Sequence, residues 1–116
     1  HDVVDLGTGS EHPVDYPPIC AAVGHAVAKG DVDRGIVLGG SGNGEAMVAN
    51  RVPGVRCALC WSEESALLAR RHNDANMISL GRRMVPFDLA WKIVEMWLTT
   101  PFEGGRHARR IGMIDE

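Results

Sequence analysis

Apolar and polar positions along this chain switch repeatedly between a strand-like and a helix-like spacing. Ile36-Val37-Leu38 and the runs 55–60 and 76–80 are short apolar stretches that read as buried strands. Val3-Val4-Asp5-Leu6 reads as a further short strand, followed by a Gly/Pro-rich loop through Pro18. Between these runs the spacing turns helical. Ile19, Ala22, Val23, Ala26 and Val27 mark one apolar face that stops at Lys29-Gly30. A second helix is expected from about residue 44 to residue 51, closed by Val52-Pro53-Gly54. Ser62 is suited to cap a third, with Glu63 and Glu64 complementing the macrodipole in its first turn. That helix ends in Arg70-Arg71-His72, and Asn73-Asp74 begins the link to the next strand. Pro86 opens a long helix through about Leu98, rich in Leu89, Trp91, Ile93, Val94, Met96 and Trp97, and a basic helical tail starts at Arg106.

Regular strand–helix alternation predicts an α/β fold, a parallel sheet with helices on both faces. Ligands of such sheets bind outside the carboxyl ends of the strands. The turns after residues 38, 60 and 80 occupy those ends. With 116 residues, one domain over 1–116 is expected.

The loop after the strand at 36–38 carries the most chemistry. Gly39-Gly40-Ser41-Gly42-Asn43-Gly44 followed by a helix aims several backbone N–H groups at one point. That point suits a phosphate, a carboxylate or a developing oxyanion. A Walker A loop would need Lys and Ser/Thr where this chain has Glu45 and Ala46. The dinucleotide fingerprint, started at Gly40 and Gly42, would need a small residue where Glu45 stands. Glu45 makes sense beside such a loop if it moves a proton while the loop stabilises the resulting oxyanion. An acidic residue complementing the first helical turn is the alternative, and the loop alone leaves both open.

Composition narrows the classes further. A formal charge of −3 argues against a general nucleic-acid or anionic-membrane binder. No stretch approaches a membrane span, and the first fifteen residues do not resemble a signal peptide. Three cysteines, an odd number, fit a reducing, cytoplasmic compartment better than a disulfide framework. Cys57 and Cys60 have CxxC spacing, but on a strand they face opposite sides and are expected to be small core residues.

Other candidates gather at element ends. His72 reads as an acid/base group or as a helix cap. Arg82-Arg83 follow Gly81 at a strand's carboxyl end. Arg106, His107, Arg109 and Arg110 concentrate cations, with Arg106 and Arg110 on one helical face, suited to phosphate oxygens or to solvent. Tyr16, in Asp15-Tyr16-Pro17, would place a phenol at a site mouth or start a helix.

Taken in order, Asp15-Tyr16-Pro17, Gly35 to Asn50, Val52 to Arg56, Arg71 to Asn76, Leu80 to Arg83 and Gly104 to His107 resemble the type B ribose-5-phosphate isomerases and related sugar-phosphate isomerases. The resemblance implies a Rossmann-like three-layer sandwich that interconverts ribose 5-phosphate and ribulose 5-phosphate through an enediolate, without metal or organic cofactor. Many members carry a cysteine base where this chain has Gly39; the chain is similar instead to the branch whose base is the glutamate after Gly-Asn-Gly, here Glu45. By the same resemblance Gly40, Ser41, Gly42, Asn43 and Gly44 would hold the enediolate. His72 would help open the sugar ring and Asn73 would contact the sugar. Arg83, Arg106 and Arg110 would bind the phosphate, with His107 nearby. Members are homodimers, or dimers of dimers, with sites shared between subunits.

Members of this family begin with a strand and helix ahead of the counterpart of His1, carrying an Asp-His pair. Without that segment an apolar sheet face and unpaired backbone would be exposed. A hexose 6-phosphate such as galactose or allose 6-phosphate is the near alternative substrate. A non-catalytic phosphosugar-binding subunit is the alternative from another class, and a flavodoxin-like nucleotide binder is argued against by Glu45.

Overall fold

The apolar runs become three parallel strands, β1 (Gly35–Gly39), β2 (Cys57–Leu59) and β3 (Met77–Gly81), in the order β1-β3-β2. They are seen in a computed structural model that describes residues 2–7 and 15–116. Around them run α1 (Tyr16–Lys29), α2 (Asn43–Ala49), α3 (Glu63–Arg71), α4 (Phe87–Thr99) and α5 (Arg106–Ile114). Every residue of the central β3 is buried, as a strand covered on both faces must be.

Each face of the sheet has its own core. Cys20, Val27, Val37, Ala49, Val52, Val55 and Met77 pack beneath α1 and α2. Cys60, Ala66, Ala69, Ile78, Leu80, Ile93 and Trp97 pack beneath α3 and α4. Successive β3 residues therefore serve opposite cores, as the pleat requires. Trp97, fully buried, donates its indole N–H to the Ala75 carbonyl at 2.9 Å. Cys57 and Cys60 likewise pack against opposite cores. Burial pushes the Cys57 thiol up to about 12 and the Cys60 thiol to about 11, the reverse of an activated dithiol.

Several sequence expectations need correction. Residues 3–6 form no strand: Val3 is 87% and Val4 63% exposed, and among the described residues no strand pairs with them. The expected loop lies partly at residues 8–14, outside the described residues, and does not reach Pro18. Instead α1 starts at Tyr16 and places proline in its first turn, where a missing N–H costs nothing. Of the expected α1 face, Val27 is buried and Val23 packs against the core, but Ala22 is exposed and the other buried positions are Cys20 and Gly24. β2 is three residues long instead of spanning 55–60. In α4 only Ile93 and Trp97 are buried, while Trp91 is exposed.

The third helix begins as expected. Ser62 Oγ accepts from the Ser65 N–H, and Ser65 Oγ accepts from the Ser62 N–H, each at 3.0 Å. Among the described residues β1 pairs on one side only, with Ile36 and Leu38 exposed. No described helix is long and apolar enough to cross a membrane.

Candidate active site

The glycine loop is built into the carboxyl end of the sheet by main-chain hydrogen bonds. The Arg82 N–H donates to Gly39 O at 2.9 Å and the Arg83 N–H to Gly40 O at 3.0 Å, tying the turn after β3 to the end of β1. Gly42 caps α2 with φ 85, a left-handed conformation that glycine adopts without strain. Its carbonyl accepts from the Ala46 N–H at 3.1 Å and from the Ser79 hydroxyl at 2.7 Å. Ser79 is the polar residue inside the buried β3, and this bond satisfies it. Ser41 Oγ accepts from the Asn43 N–H at 3.2 Å, which shapes the crest of the loop.

Two glycines of this loop are required by close approach. A side chain at Gly39 would fall on the Glu45 carboxylate, and one at Gly44 would fall on the Tyr16 hydroxyl. The absence of a side chain at 39 thus makes the space that the Glu45 carboxylate fills. Glu45 is 7% exposed, buried at the mouth of the loop. Arg83 lies over Gly40: a methyl there would be 3.5 Å from its guanidinium carbon. Ser41 and Asn43 line a cavity of about 270 Å³ with Leu59, Cys60, Trp61, Gly81 and Met84. Tyr16, Gly40, Ser41, Gly42, Asn43, Gly44, Glu45 and Arg83 therefore assemble as one group.

The remaining candidates assemble elsewhere. His72 is the C-cap of α3, its N–H donating to Leu68 O at 2.9 Å. Its imidazole stacks on His107 of α5, ring centroids 4.3 Å apart and 14° from parallel. His107 is buried, and burial, followed by the charges of His72 and Arg106, lowers its pKa. Glu103 faces both rings, and the ligand atoms of His72, Glu103 and His107 lie within 4.8 Å of one another, a set able to hold a metal ion. Asn73, Arg106 and Arg110 are exposed beside this pair of rings in sequence.

This second group stands at the amino end of the sheet. Asn76, four residues after His72, accepts from the first residue of β1, Gly35, at 3.0 Å. The glycine loop leaves the last residue of β1, Gly39, which is paired with Gly81. At about 3.3 Å per residue the strand alone separates the two ends by roughly 13 Å. One chain therefore brings the site residues together as two groups, not one. Sequence reasoning missed Glu103 and Ser79. The first lies four residues before His107, and the second is the one hydroxyl in an apolar run; both signals were readable.

Comparison with known proteins identifies the family. The Ribose/Galactose Isomerase family model matches residues 1–114. The ribose-5-phosphate isomerase B of Mycolicibacterium paratuberculosis is 47% identical over 118 residues, covering 100% of this chain and 74% of that protein. The Clostridium thermocellum ribose-5-phosphate isomerase B structure superposes with TM-score 0.97 at 48% identity, covering 99% of this chain and 78% of the other. A Mycoplasma genitalium ribose-5-phosphate isomerase B structure with bound ribulose 5-phosphate gives TM-score 0.93 at 45% identity over 98% of this chain and 76% of the other. The chain belongs to the ribose/galactose isomerase family, and its fold is the α/β fold of those enzymes.

Proposed function

We propose that this protein interconverts ribose 5-phosphate and ribulose 5-phosphate, an aldose–ketose isomerisation of the pentose phosphate pathway carried out in the cytoplasm. The observation that carries the reading is the Glu45 carboxylate, buried against Gly39 where the glycine loop converges. Glu45 removes the C2 proton of the open-chain sugar, and the electron pair moves onto the C1 carbonyl oxygen. The loop from Gly40 to Gly44 faces the resulting enediolate and stabilises its charge with the Ser41 hydroxyl and with N–H groups other than that of Asn43, which donates to Ser41 Oγ. Glu45 then returns a proton at C1, while the proton given up by O2 goes to O1. Protons and an electron pair move within one molecule, so the step needs no redox partner and no cofactor.

His72 assists ring opening, Asn73 contacts the sugar, and Tyr16 closes the mouth of the loop. Arg83, Arg106 and Arg110 hold the phosphate beside His107, as guanidinium forks suit its oxygens. Because the two groups of residues stand at opposite ends of one sheet, we assign each complete site to two copies of the chain in a homodimer. One copy supplies the glycine loop and Glu45, and the other supplies His72, Asn73 and the α5 cations. The galactose member named in the family's description makes a hexose 6-phosphate the second reading.

Proton NMR of ribose 5-phosphate in D₂O with the wild-type chain and Glu45→Gln tests the proposal. Ribulose 5-phosphate formation with deuterium exchange should be seen for the wild type. It should fall at least a thousandfold in the variant, within the range a positioned base contributes, roughly 10²–10⁴. Equal turnover by the variant would remove Glu45 as the base. Silence of the wild type with pentose and hexose phosphates, with binding retained, would leave a phosphosugar-binding subunit.

A further inference from the structure

The isomerisation steps proposed above make no use of Glu103, yet it sits where both imidazoles converge. Its Oε2 is 3.9 Å from His72 Nε2 and its Oε1 is 3.8 Å from His107 Nε2. Both separations are too long for a hydrogen bond. They are close to the span of two metal–ligand bonds of about 2.0–2.2 Å meeting at one ion. Two imidazoles and one carboxylate are also the donor set of three-ligand zinc sites that keep a fourth position open.

We propose that His72, Glu103 and His107 form a binding site for a divalent transition cation of the zinc class, whose occupation withdraws both imidazoles from the sugar phosphate and inhibits the enzyme.

The fold holds the three ligands in place. His72 ends α3, and the Glu103 N–H donates to Arg71 O at 3.1 Å, which fixes Glu103 beside it. Gly104 and Gly105, at φ 74 and 59, then turn the chain so that His107 enters in the first turn of α5. The ligands differ in freedom: His107 is buried, His72 half-buried and Glu103 exposed. Binding therefore needs only that the His72 ring turn out of the stack and that the Glu103 carboxylate close by a few tenths of an ångström. Arg106 and Arg110 oppose a cation electrostatically. Glu103 offsets one of those charges, and imidazole coordination favours zinc over hard cations such as magnesium.

Calorimetric titration of the metal-stripped protein with zinc chloride at neutral pH tests the binding, with cobalt(II) absorption reporting the ligands. The expected result is one ion per chain, a cobalt spectrum without thiolate charge transfer, and at least roughly tenfold weaker binding by Glu103→Gln, as loss of a metal-site partner gives. Circular dichroism checks that the variant is folded, and Glu103→Ala provides a second one. Absence of stoichiometric binding, equal binding by both variants, or a thiolate band placing the ion on cysteine would overturn the site. The inhibitory half rests on the isomerase reading. Zinc should slow wild-type turnover, a chelator should restore it, and Glu103→Gln should resist. A wild type that binds zinc at this site and turns over unchanged would overturn inhibition alone, and the titration needs no sugar phosphate.

Discussion

The two groups of site residues are built by different physics. At the carboxyl end of the sheet the main chain does the positioning. The β1–β3 register, the bonds from Arg82 and Arg83 to Gly39 and Gly40, and the Ser79 bond to Gly42 hold the loop around Glu45. At the amino end, side-chain ions do it. Arg56 donates to the carbonyls of Asn73 and Asp74 and pairs with the carboxylates of Asp74 and Asp115. The buried Arg70 pairs with Asp74 at 2.7 Å and donates to Ala75 O and Thr100 O. Asp74 itself is held at φ 45, a conformation uncommon outside glycine. A proton transfer tolerates little misplacement, so its base belongs on the rigid ladder. The attraction of Arg106 and Arg110 for a phosphate acts over longer range, and a scaffold of ion pairs suffices for that part of the amino-end group's work.

The sharpest way to break this comparison is to inactivate each group in a different chain. Glu45→Gln and His72→Asn homodimers should both be nearly inactive. Mixed after unfolding and refolding together, half of the dimers should carry one intact site, restoring roughly a quarter of wild-type turnover. No recovery on mixing would place both groups' work within one chain. Next in size, Gly39→Ala should displace the Glu45 carboxylate and lower kcat by about a hundredfold, with KM nearly unchanged. Steady-state kinetics would count against the space argument if kcat held.

Ser79→Ala removes a buried donor from Gly42 O, which keeps its Ala46 partner. Stability should fall by about 1 kcal/mol, read by denaturant unfolding, with a smaller loss of activity than Gly39→Ala. The smallest effect concerns His107, whose pKa is lowered in the fold. The unfolded chain therefore binds more protons just below pH 6.5, and stability rises with pH through that window and is lost as pH falls. Thermal unfolding between pH 5 and 7 should show His107→Gln losing less stability on acidification than the wild type. An equal slope would show that burial of His107 is not what the acid disrupts.

The helices α3 and α5 and the strands β1 and β3 were legible in the sequence because short apolar runs and capping residues report local structure. The Ser62 cap needs only its neighbours, and the glycine loop announces itself by composition. The segment 3–6 was misread for the complementary reason: a β-like run becomes a strand only beside a partner, and its partner is not a property of the run. The buried face of α1 was read correctly at Val27 but not at Cys20 and Gly24, which carry little hydrophobic signal although both are buried.

The same division runs through the site. Sequence by itself determined the chemistry available: a carboxylate after a glycine loop, two histidines and a set of arginines, in an order that matches an isomerase family. Only the tertiary structure decided that Glu45 occupies the space Gly39 leaves, and that His72 and His107 stack around Glu103. It also decided that these two groups stand at opposite ends of one sheet. Residue type and spacing are local properties of a chain. Distance between remote residues is set by strand order and packing, which spacing along the chain does not encode.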